Sequence, residues 1–365
     1  MKVGILTFYF AKNIGAQLQA FALCQVLKKM GFDVSFVRYE PDYLRAPYSF
    51  FRNVKKRYGV ASMIKQSLLH IAYDSITWCR TTRHYAKFQK EFIPRSRSHC
   101  NSTDDLLTAD YDAFIVGSDQ IWNPELTAHQ IDSVYTLNFS DKSKRKIAYA
   151  ASFSDKHISK ADLDTLISHL CSFDRISVRE KNLAQLIEKN SNLDVDVVLD
   201  PTLLLSKEDW IKFINPQRLV KEPYVLLYQA RGSKDKILKQ TERIAYRIGA
   251  RVIDASGMNY RVKQNGMQYV HPIEFLNLIF NAEMIVTASF HGTALSVILE
   301  KPFYSILLND ERDERVINLL NTLGLQSQMK NVEDDLAFPM IDYLKHKKTF
   351  VSMRDHSLNF LKDAL

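Results

Sequence analysis

The chain has 365 residues, 46% of them hydrophobic, and carries a formal net charge of +8 at pH 7. This length is typical of about two domains, and the modest glycine and proline content excludes a fibrous or disordered chain. Four scattered cysteines without a C-x-x-C pair argue against a disulfide framework or a zinc site and indicate a reducing compartment. The opening run MKVGILTFYF is too short to span a membrane and no cleavage site follows it. We therefore expect a cytoplasmic protein, soluble or peripheral at the inner membrane face.

Strands and helices alternate through the first half of the chain. A helix is predicted at 14–30, closed by Gly31. The buried strands of this half are predicted at 3–9, 33–39, 113–116, 146–151, 175–178 and 195–199. Some of these strands lead directly into polar residues, Gly117-Ser118-Asp119-Gln120 after one and Arg179-Glu180 after another.

The segment from Arg38 to Cys100 is basic and aromatic. It holds thirteen Lys or Arg against four Asp or Glu, with Tyr, Phe and Trp interleaved. Such a segment suits an anionic membrane surface, a nucleic acid or a diphosphate-bearing substrate, and a solvated helical face is an equal alternative. No nucleic-acid-binding motif accompanies the charge, so we expect no nucleic-acid partner. We predict that this segment contacts the inner membrane face, with Lys55, Lys56 and Arg57 as its densest cluster.

The alternation restarts after a connecting segment at about 202–222. Strands are predicted at 224–229 and 251–254, and helices at 234–248, 273–281, 312–323 and 341–364. Two such halves predict an α/β fold of two Rossmann-like, doubly wound domains facing a cleft. The predicted domains are 1–205, with a helical insertion at about 43–92, then 206–340, and a helical C-terminal tail at 341–365.

The stretch from Asn281 to Ile306 is the most informative part of the chain. It predicts a buried strand at 284–287, a small-residue turn with His291, an apolar helix up to Glu300 and a second strand at 303–307. Ligands of open parallel sheets bind at such strand-to-helix corners, and helix starts favour anions. A histidine there exchanges protons near neutral pH, so the corner predicts an anionic substrate handled by acid/base chemistry. Capping or packing is the alternative role for His291.

Seven motifs occur in order along the chain. They are N-x-G at Asn13 and Gly15, G-S-D-Q-x-W-N at Gly117 to Asn123, S-V-R-E at Ser177 to Glu180, L-D-P-T at Leu199 to Thr202, H-P-x-E-F at His271 to Phe275, T-x-S-F-H-G-T at Thr287 to Thr293 and K-P-F at Lys301 to Phe303. In order and spacing they resemble the bacterial polysaccharide pyruvyl transferase family, over roughly Lys2 to Leu325.

The resemblance implies a fold similar to the two-domain (GT-B-like) glycosyltransferases. It also implies transfer of a pyruvyl group from phosphoenolpyruvate to a sugar of a surface polysaccharide or its lipid-linked precursor, typically as a cyclic ketal. The donor is then a substrate, and neither a cofactor nor a metal is implied. The N-terminal domain would hold the saccharide acceptor and the C-terminal domain the donor.

The resemblance also assigns donor-side roles to particular residues. His291 would be the general acid/base, and Arg179 would bind the donor's phosphate or carboxylate, with an ion pair to Glu180 as its alternative role. Ser289, Gly292 and Thr293 would bind the donor at the helix start. Some family members have Arg-x-His at this corner, where this chain has Ser289-Phe290-His291. Arg231, and less strongly Arg315, are the candidates to replace the missing arginine.

The acceptor side depends on residues that follow two predicted strands of the first domain. Sugar-binding roles are predicted for Asn13, Gln17, Asp119, Gln120 and Trp122, with Trp122 stacking on a ring. Capping and packing are equal alternatives for this group. Two other functions remain open from the sequence, a glycosyltransferase that uses a nucleotide sugar and a non-catalytic sugar-binding protein.

Overall fold

The structure, a computed structural model, describes residues 1–45, 79, 82–139, 141, 143–153, 158–229, 234–256 and 271–365. The chain divides into two compact units. Unit 1 comprises Met1–Leu204 and His356–Leu365, and unit 2 comprises Leu205–Asp355. Lys55, Lys56, Arg57 and most of the predicted basic insertion lie outside the described residues, as does Arg231.

Unit 1 is built on a seven-stranded sheet in which every pair is parallel. Its strands are β1 Lys2–Leu6, β2 Asp33–Tyr39, β3 Arg95–Cys100, β4 Ala113–Val116, β5 Arg145–Ala151, β6 Arg175–Val178 and β7 Asp196–Val197, in the order β3-β2-β1-β4-β5-β6-β7. The central strand β4 is buried throughout and β5 is buried after Arg145, as expected where helices cover both faces of a parallel sheet.

Helices connect the strands of unit 1. The longest that lies wholly within the unit, Ile14–Lys29, is almost entirely buried, and Asn13 caps its start by accepting a hydrogen bond from the Ala16 amide at 3.1 Å. The others are at Asp42–Arg45, 82–92, Thr103–Thr108, Lys160–Leu170 and Lys181–Asn190, with a short 3-10 turn at Pro201–Leu203.

Unit 2 is built on a five-stranded parallel sheet. Its strands are β8 Tyr224–Tyr228, β9 Arg251–Asp254, β10 Met284–Thr287, β11 Phe303–Leu307 and β12 Met329–Asn331, in the order β12-β11-β10-β8-β9. Its helices are Lys207–Ile214, Lys234–Arg247, Pro272–Asn281, Phe290–Ile298 and Glu314–Thr322, followed by Tyr343–Ala364, which begins in unit 2 and ends in unit 1. The two sheets confirm the predicted pair of doubly wound α/β domains.

Both sheets reverse their strand order beside their first strand. In unit 1 the reversal lies between β1 and β4, and in unit 2 between β8 and β10. Chain connections leave in opposite directions at such a point, which opens a crevice at the carboxyl ends of the two strands. The residues that follow β1, β4, β8 and β10 are therefore the first candidates for binding a ligand.

The C-terminal helix, predicted as a helical tail, is divided between the two units. Its last residues belong to unit 1, where Ser357 accepts a hydrogen bond from the Leu199 amide at 3.0 Å and the Phe360 ring lies 6.1 Å from that of Tyr149. Burial of Phe360 and Leu361 explains why this end of the helix packs against the domain. Among the helices that the structure describes, none is long and apolar enough to cross a membrane.

Candidate active site

The carboxyl ends of β8 and β10 are tied together at the reversal point of unit 2. Thr287 pairs with Tyr228 in parallel register, and its hydroxyl donates to the Tyr228 carbonyl at 2.7 Å. The same hydroxyl accepts the amide of Ser289 at 3.1 Å, which turns the chain out of the sheet and into the helix Phe290–Ile298. The predicted strand, corner, helix and following strand are confirmed.

Gly292 lets the start of this helix lie directly on the sheet. A Cβ atom at this position would come within 2.2 Å of the Thr287 hydroxyl and 3.0 Å of the Tyr228 ring, so no larger residue fits without moving the helix. The amide of Gly292 has no carbonyl four residues earlier within the helix. It therefore offers an N–H group to an anion at the positive end of the helix dipole.

His291 occupies the first turn of this helix. Its side chain is half-buried, and its ring lies 5.3 Å from the Phe290 ring in an edge-to-face arrangement. An imidazole that is partly sheltered and stands beside helix N–H groups can donate or accept a proton where an anion would bind.

Thr293 and Ser289 close the first turn of this helix. The Thr293 amide and hydroxyl both bond to the Ser289 carbonyl, at 3.0 and 3.1 Å, and the hydroxyl also contacts Ser305 at 2.6 Å. Thr293 is fully buried, so the polar groups of its amide and side chain are used within the protein, and its binding of phosphoenolpyruvate stays a prediction. Ser289 makes no side-chain cap. Burial raises the pKa of Tyr228 to about 12, and a hydrogen bond with Ser289 acts in the opposite direction.

Arg315 brings a guanidinium to the corner. Its central carbon lies 5.7 Å from the centre of the Phe290 ring, one residue from His291. A cation over an aromatic face is a favourable contact and holds the charge beside the helix start. Of the two predicted replacements for the missing corner arginine, Arg315 is thus the one located among the described residues.

Gln229 is a site residue that the sequence did not single out. It follows β8 directly and is 2% exposed, and its backbone amide donates to the Ser256 hydroxyl at 2.8 Å. Neither the oxygen nor the nitrogen of its side-chain amide has a hydrogen-bond partner among the described residues. A buried amide without partners costs about 1–3 kcal/mol, so its presence at the reversal point is typical of a group reserved for a ligand. A sequence does not show whether a side chain is buried or hydrogen-bonded, so the sequence predicted Gln229 only as the end of a strand.

Arg179 lies at the carboxyl edge of the unit 1 sheet within a group of carboxylates. Its guanidinium donates to Asp200 at 2.7 Å and lies 3.7 Å from Glu180 and 3.9 Å from Asp119. The side chain is only 4% exposed. Burial acts to lower the pKa of Arg179, but Glu180, Asp200 and Asp119 together keep it above its ordinary value. The ion pair with Glu180, the alternative role for this arginine, is present and buried.

Asp119 is the most accessible member of this group. Its side chain is 18% exposed, against 8% for Glu180 and none for Asp200. Its backbone has a φ of 87°, in the left-handed region that non-glycine residues rarely occupy and that is enriched at functional sites. The carbonyl of Asp119 accepts the Ser152 amide at 3.0 Å, which attaches the β4 turn to β5.

The other predicted acceptor residues divide into accessible and buried ones. Asn13 is exposed but uses its oxygen as the helix cap, and Gln120 is half-buried and contacts Asn123 at 3.3 Å. Gln17 is buried and donates to the Ala11 carbonyl at 3.1 Å, while its side-chain oxygen has no partner among the described residues. Trp122 is fully buried and donates to the Tyr135 carbonyl at 3.1 Å. This burial in the unit 1 core fits the alternative packing role of Trp122, and its stacking on a sugar stays a prediction.

Metal ligands are not grouped in the described part of the chain. No set of three or more His, Cys, Asp or Glu side chains there is placed to hold an ion.

Comparison with known proteins supplies a family and a fold. The family model for polysaccharide pyruvyl transferase matches residues 13–310, most of the chain. No curated protein sequence matches. Among solved structures, a UDP-GlcNAc 2-epimerase from Methanocaldococcus jannaschii is similar at a TM-score of 0.51 and 14% identity, over 97% of this chain and 93% of that one. The UDP-GlcNAc 2-epimerase from Neisseria meningitidis, bound to UDP-GlcNAc, is similar at 0.50 and 11% identity, over 100% and 94%. At these identities the likeness shows the fold alone, two parallel-sheet α/β domains of GT-B-like type.

Proposed function

Since the chain belongs to the polysaccharide pyruvyl transferase family, we propose that it transfers the pyruvyl group of phosphoenolpyruvate to a saccharide. The product is a cyclic ketal on a sugar of a surface polysaccharide or its lipid-linked precursor. The family match over residues 13–310 carries this proposal, and the chemistry of the unit 2 corner supports it.

The reaction needs one proton donor and several groups that bind anions. His291 donates a proton to the methylene carbon of phosphoenolpyruvate, which makes the adjacent carbon electrophilic. A sugar hydroxyl attacks that carbon and forms one C–O bond. A second hydroxyl of the sugar then displaces inorganic phosphate, which leaves with the bridging oxygen, and closes the ketal. His291, neutral after the first step, takes up the proton of one attacking hydroxyl and is regenerated, and the proton of the other hydroxyl leaves with phosphate.

The donor's negative charges match the groups around His291. The Gly292 amide and the helix start favour an anionic oxygen, and Arg315 places a guanidinium beside the Phe290 ring. The side-chain nitrogen of the buried Gln229 would donate a hydrogen bond to the carboxylate or to the bridging oxygen. The surroundings of Arg179 do not favour binding of phosphoenolpyruvate. A guanidinium that already faces three carboxylates offers little net positive charge to this trianion.

The unit 1 group suits the saccharide. The carboxylate of Asp119 is partly exposed and lies 3.9 Å from the Arg179 guanidinium, and the Ser152 amide fixes its backbone, so it is placed to accept a hydrogen bond from a sugar hydroxyl. Arg179 then acts through Asp119 as a positioning residue. Asn13, Gln17 and Gln120 provide further amide groups near the same reversal point of the sheet.

Thermal shift with candidate donors tests the proposal. Phosphoenolpyruvate at a hundredfold excess over its Kd should stabilise the protein by about 2.7 kcal/mol, whereas UDP- and GDP-sugars should have no effect. Transfer of labelled pyruvyl to a panel of nitrophenyl glycosides, with matching release of phosphate, would then identify the acceptor class. Stabilisation by a nucleotide sugar and not by phosphoenolpyruvate would replace the proposal with a glycosyltransferase.

A further inference from the structure

Exposed apolar side chains are concentrated in unit 2 where residues 336–342 lead into the C-terminal helix. Single exposed apolar residues are common, so the concentration is what matters. Among the described residues the three most exposed large apolar side chains are Tyr246, Met340 and Leu344, at 89%, 88% and 79%, and all three belong to unit 2. Phe338 adds a fourth exposed side chain at 42%. Phe338, Met340 and Leu344 thus fall within seven consecutive positions.

This surface is held in place by its neighbours and is not a loose tail. Leu336 is buried in the unit 2 core, and its carbonyl accepts a hydrogen bond from Arg247 at 3.0 Å. Gln240 fixes the preceding backbone through the Asp334 carbonyl at 2.7 Å, and the Tyr343 hydroxyl donates to the Lys301 carbonyl at 2.7 Å. The backbone is therefore anchored before and after Met340. The Met340 side chain is exposed even though hydrogen bonds fix the chain on either side of it.

The C-terminal helix carries positive charge on both of its sides, and Lys345 and Lys348 lie on the outer side with Leu344. Between Tyr343 and Arg354 the helix carries Lys345, Lys347, Lys348 and Arg354 and no Asp or Glu. His346, Lys347 and Phe350 line a pocket of about 270 Å³ on the inner side of the helix. Leu344 and Lys348, one turn apart, are both exposed on the other side together with Lys345. Asp342, just before the helix, pairs with Lys345 at 3.5 Å, an exposed contact of small energy.

We propose that the surface formed by residues 338–348 of unit 2 docks on an anionic lipid bilayer. Phe338, Met340 and Leu344 would enter the boundary between headgroups and acyl chains, where exposed apolar side chains leave water. Lys345 and Lys348 would lie at the headgroups, where each cation adds attraction to an anionic leaflet. This contact is separate from the basic segment between Arg38 and Cys100, and it does not depend on the reaction that the protein catalyses.

Vesicle sedimentation with the full chain tests this surface. Wild-type protein should sediment with vesicles of phosphatidylcholine and phosphatidylglycerol and much less with phosphatidylcholine alone, and high salt should weaken the binding. The pair Met340→Ser/Leu344→Ser and the pair Lys345→Glu/Lys348→Glu should each lower the affinity for the mixed vesicles by about tenfold. Both pairs change exposed side chains, so the melting temperature should stay near that of the wild type.

Matched controls come from the same unit. Leu219→Ser removes another exposed apolar side chain, and Lys212→Glu/Lys221→Glu reverses two exposed lysines outside the surface. These variants should bind like the wild type. Binding that survives Met340→Ser/Leu344→Ser but is lost on reversing Lys55, Lys56 and Arg57 would overturn the proposal in favour of the basic segment. A wild-type dimer that Met340→Ser/Leu344→Ser converts to a monomer, without vesicle binding, would make the surface an interface between two copies and would equally overturn it.

Discussion

His291 is the residue on which the proposed chemistry depends most directly. It lies in the first turn of the helix Phe290–Ile298, half-buried, next to the Gly292 amide. His291→Ala should leave phosphoenolpyruvate binding nearly intact, because the helix start and Arg315 remain, and should lower turnover by about 10²- to 10⁴-fold. Donor binding is measured by thermal shift and turnover by phosphate release with a glycoside acceptor. His99→Ala, at an exposed position of unit 1, is the control. Normal turnover in His291→Ala would remove the histidine from the mechanism.

Gln229 permits a test that separates a ligand-binding role from a structural one. Its side-chain amide is buried without partners among the described residues, so Gln229→Leu should raise the free energy of unfolding by about 1 kcal/mol. The same change should weaken phosphoenolpyruvate binding by about tenfold or more, since a hydrogen bond to a charged ligand is lost. Urea unfolding and calorimetric titration measure the two effects.

Gln240→Leu is the matched control for Gln229→Leu. Gln240 is also a buried glutamine of unit 2, but its side chain donates to the Val332 and Asp334 carbonyls. Its replacement should therefore lower stability and leave donor affinity unchanged. If Gln229→Leu destabilises the protein as Gln240→Leu does, and phosphoenolpyruvate binds as before, then Gln229 is a structural residue.

At the scale of elements, one histidine ties a helix of unit 1 to a loop in a way that depends on pH. His169, on the helix Lys160–Leu170, contacts the Thr136 hydroxyl at 2.8 Å and the Asn138 side-chain nitrogen at 3.0 Å. Burial lowers its pKa below the ordinary value of 6.5. At a pH between the lowered pKa of folded His169 and 6.5, the unfolded chain binds more protons than the folded protein does. The contribution of His169 to stability is therefore present above pH 6.5 and is lost as the pH falls through the pKa of the folded state.

His169→Gln should therefore flatten the acid side of the stability profile. The midpoint of urea unfolding, measured from pH 7.5 down to pH 5, should fall less steeply in the variant than in the wild type. His99→Gln, which changes an exposed histidine of the same unit, should keep the wild-type slope. Identical slopes for all three proteins would mean that His169 titrates alike in the folded and unfolded states.

The elements that the sequence predicted well are those buried on both faces. The apolar runs at 113–116, 284–287 and 303–307 match β4, β10 and β11 residue for residue, because a central parallel strand needs continuous apolar side chains. The edge strands β3 and β12 were missed. Their sequences, RSRSHC and MKN, are polar, since only one edge of each pairs with the sheet and the rest faces water.

The candidate site was only partly predictable, because some of its features come from consecutive residues and others from contacts between distant parts of the chain. A strand-to-helix corner with His291 shows in local sequence, because the turn, the helix start and the glycine are consecutive. The pairing of Arg179 with Asp200 joins positions that follow two different strands, and the burial of Gln229 and Trp122 depends on how the rest of each unit packs. The family resemblance assigned Arg179 to an anion, and position after a strand assigned Trp122 to a sugar, but neither argument shows how these side chains pack.

At the scale of the whole molecule, the two sheets carry opposite electrostatic environments at their reversal points. In unit 1 three carboxylates surround one guanidinium, which suits neutral hydroxyl groups better than a trianion. In unit 2 the helix start and Arg315 suit an anion. We therefore expect the donor and the acceptor to depend on different units, with phosphoenolpyruvate bound by unit 2 alone.

Paired variants test this division. Arg315→Leu, like Gln229→Leu, should reduce the stabilisation by phosphoenolpyruvate. Arg179→Lys, which keeps the charge but loses the fork of donors, and Asp119→Asn should leave that stabilisation unchanged and lower kcat/KM for the glycoside acceptor by about tenfold or more. Removing a partner from a buried charged group is destabilising, so the melting temperature of each unliganded variant must be measured first. A folded Arg179→Lys protein that no longer responds to phosphoenolpyruvate would return Arg179 to the donor and would show that its three carboxylates do not prevent it from binding an anion.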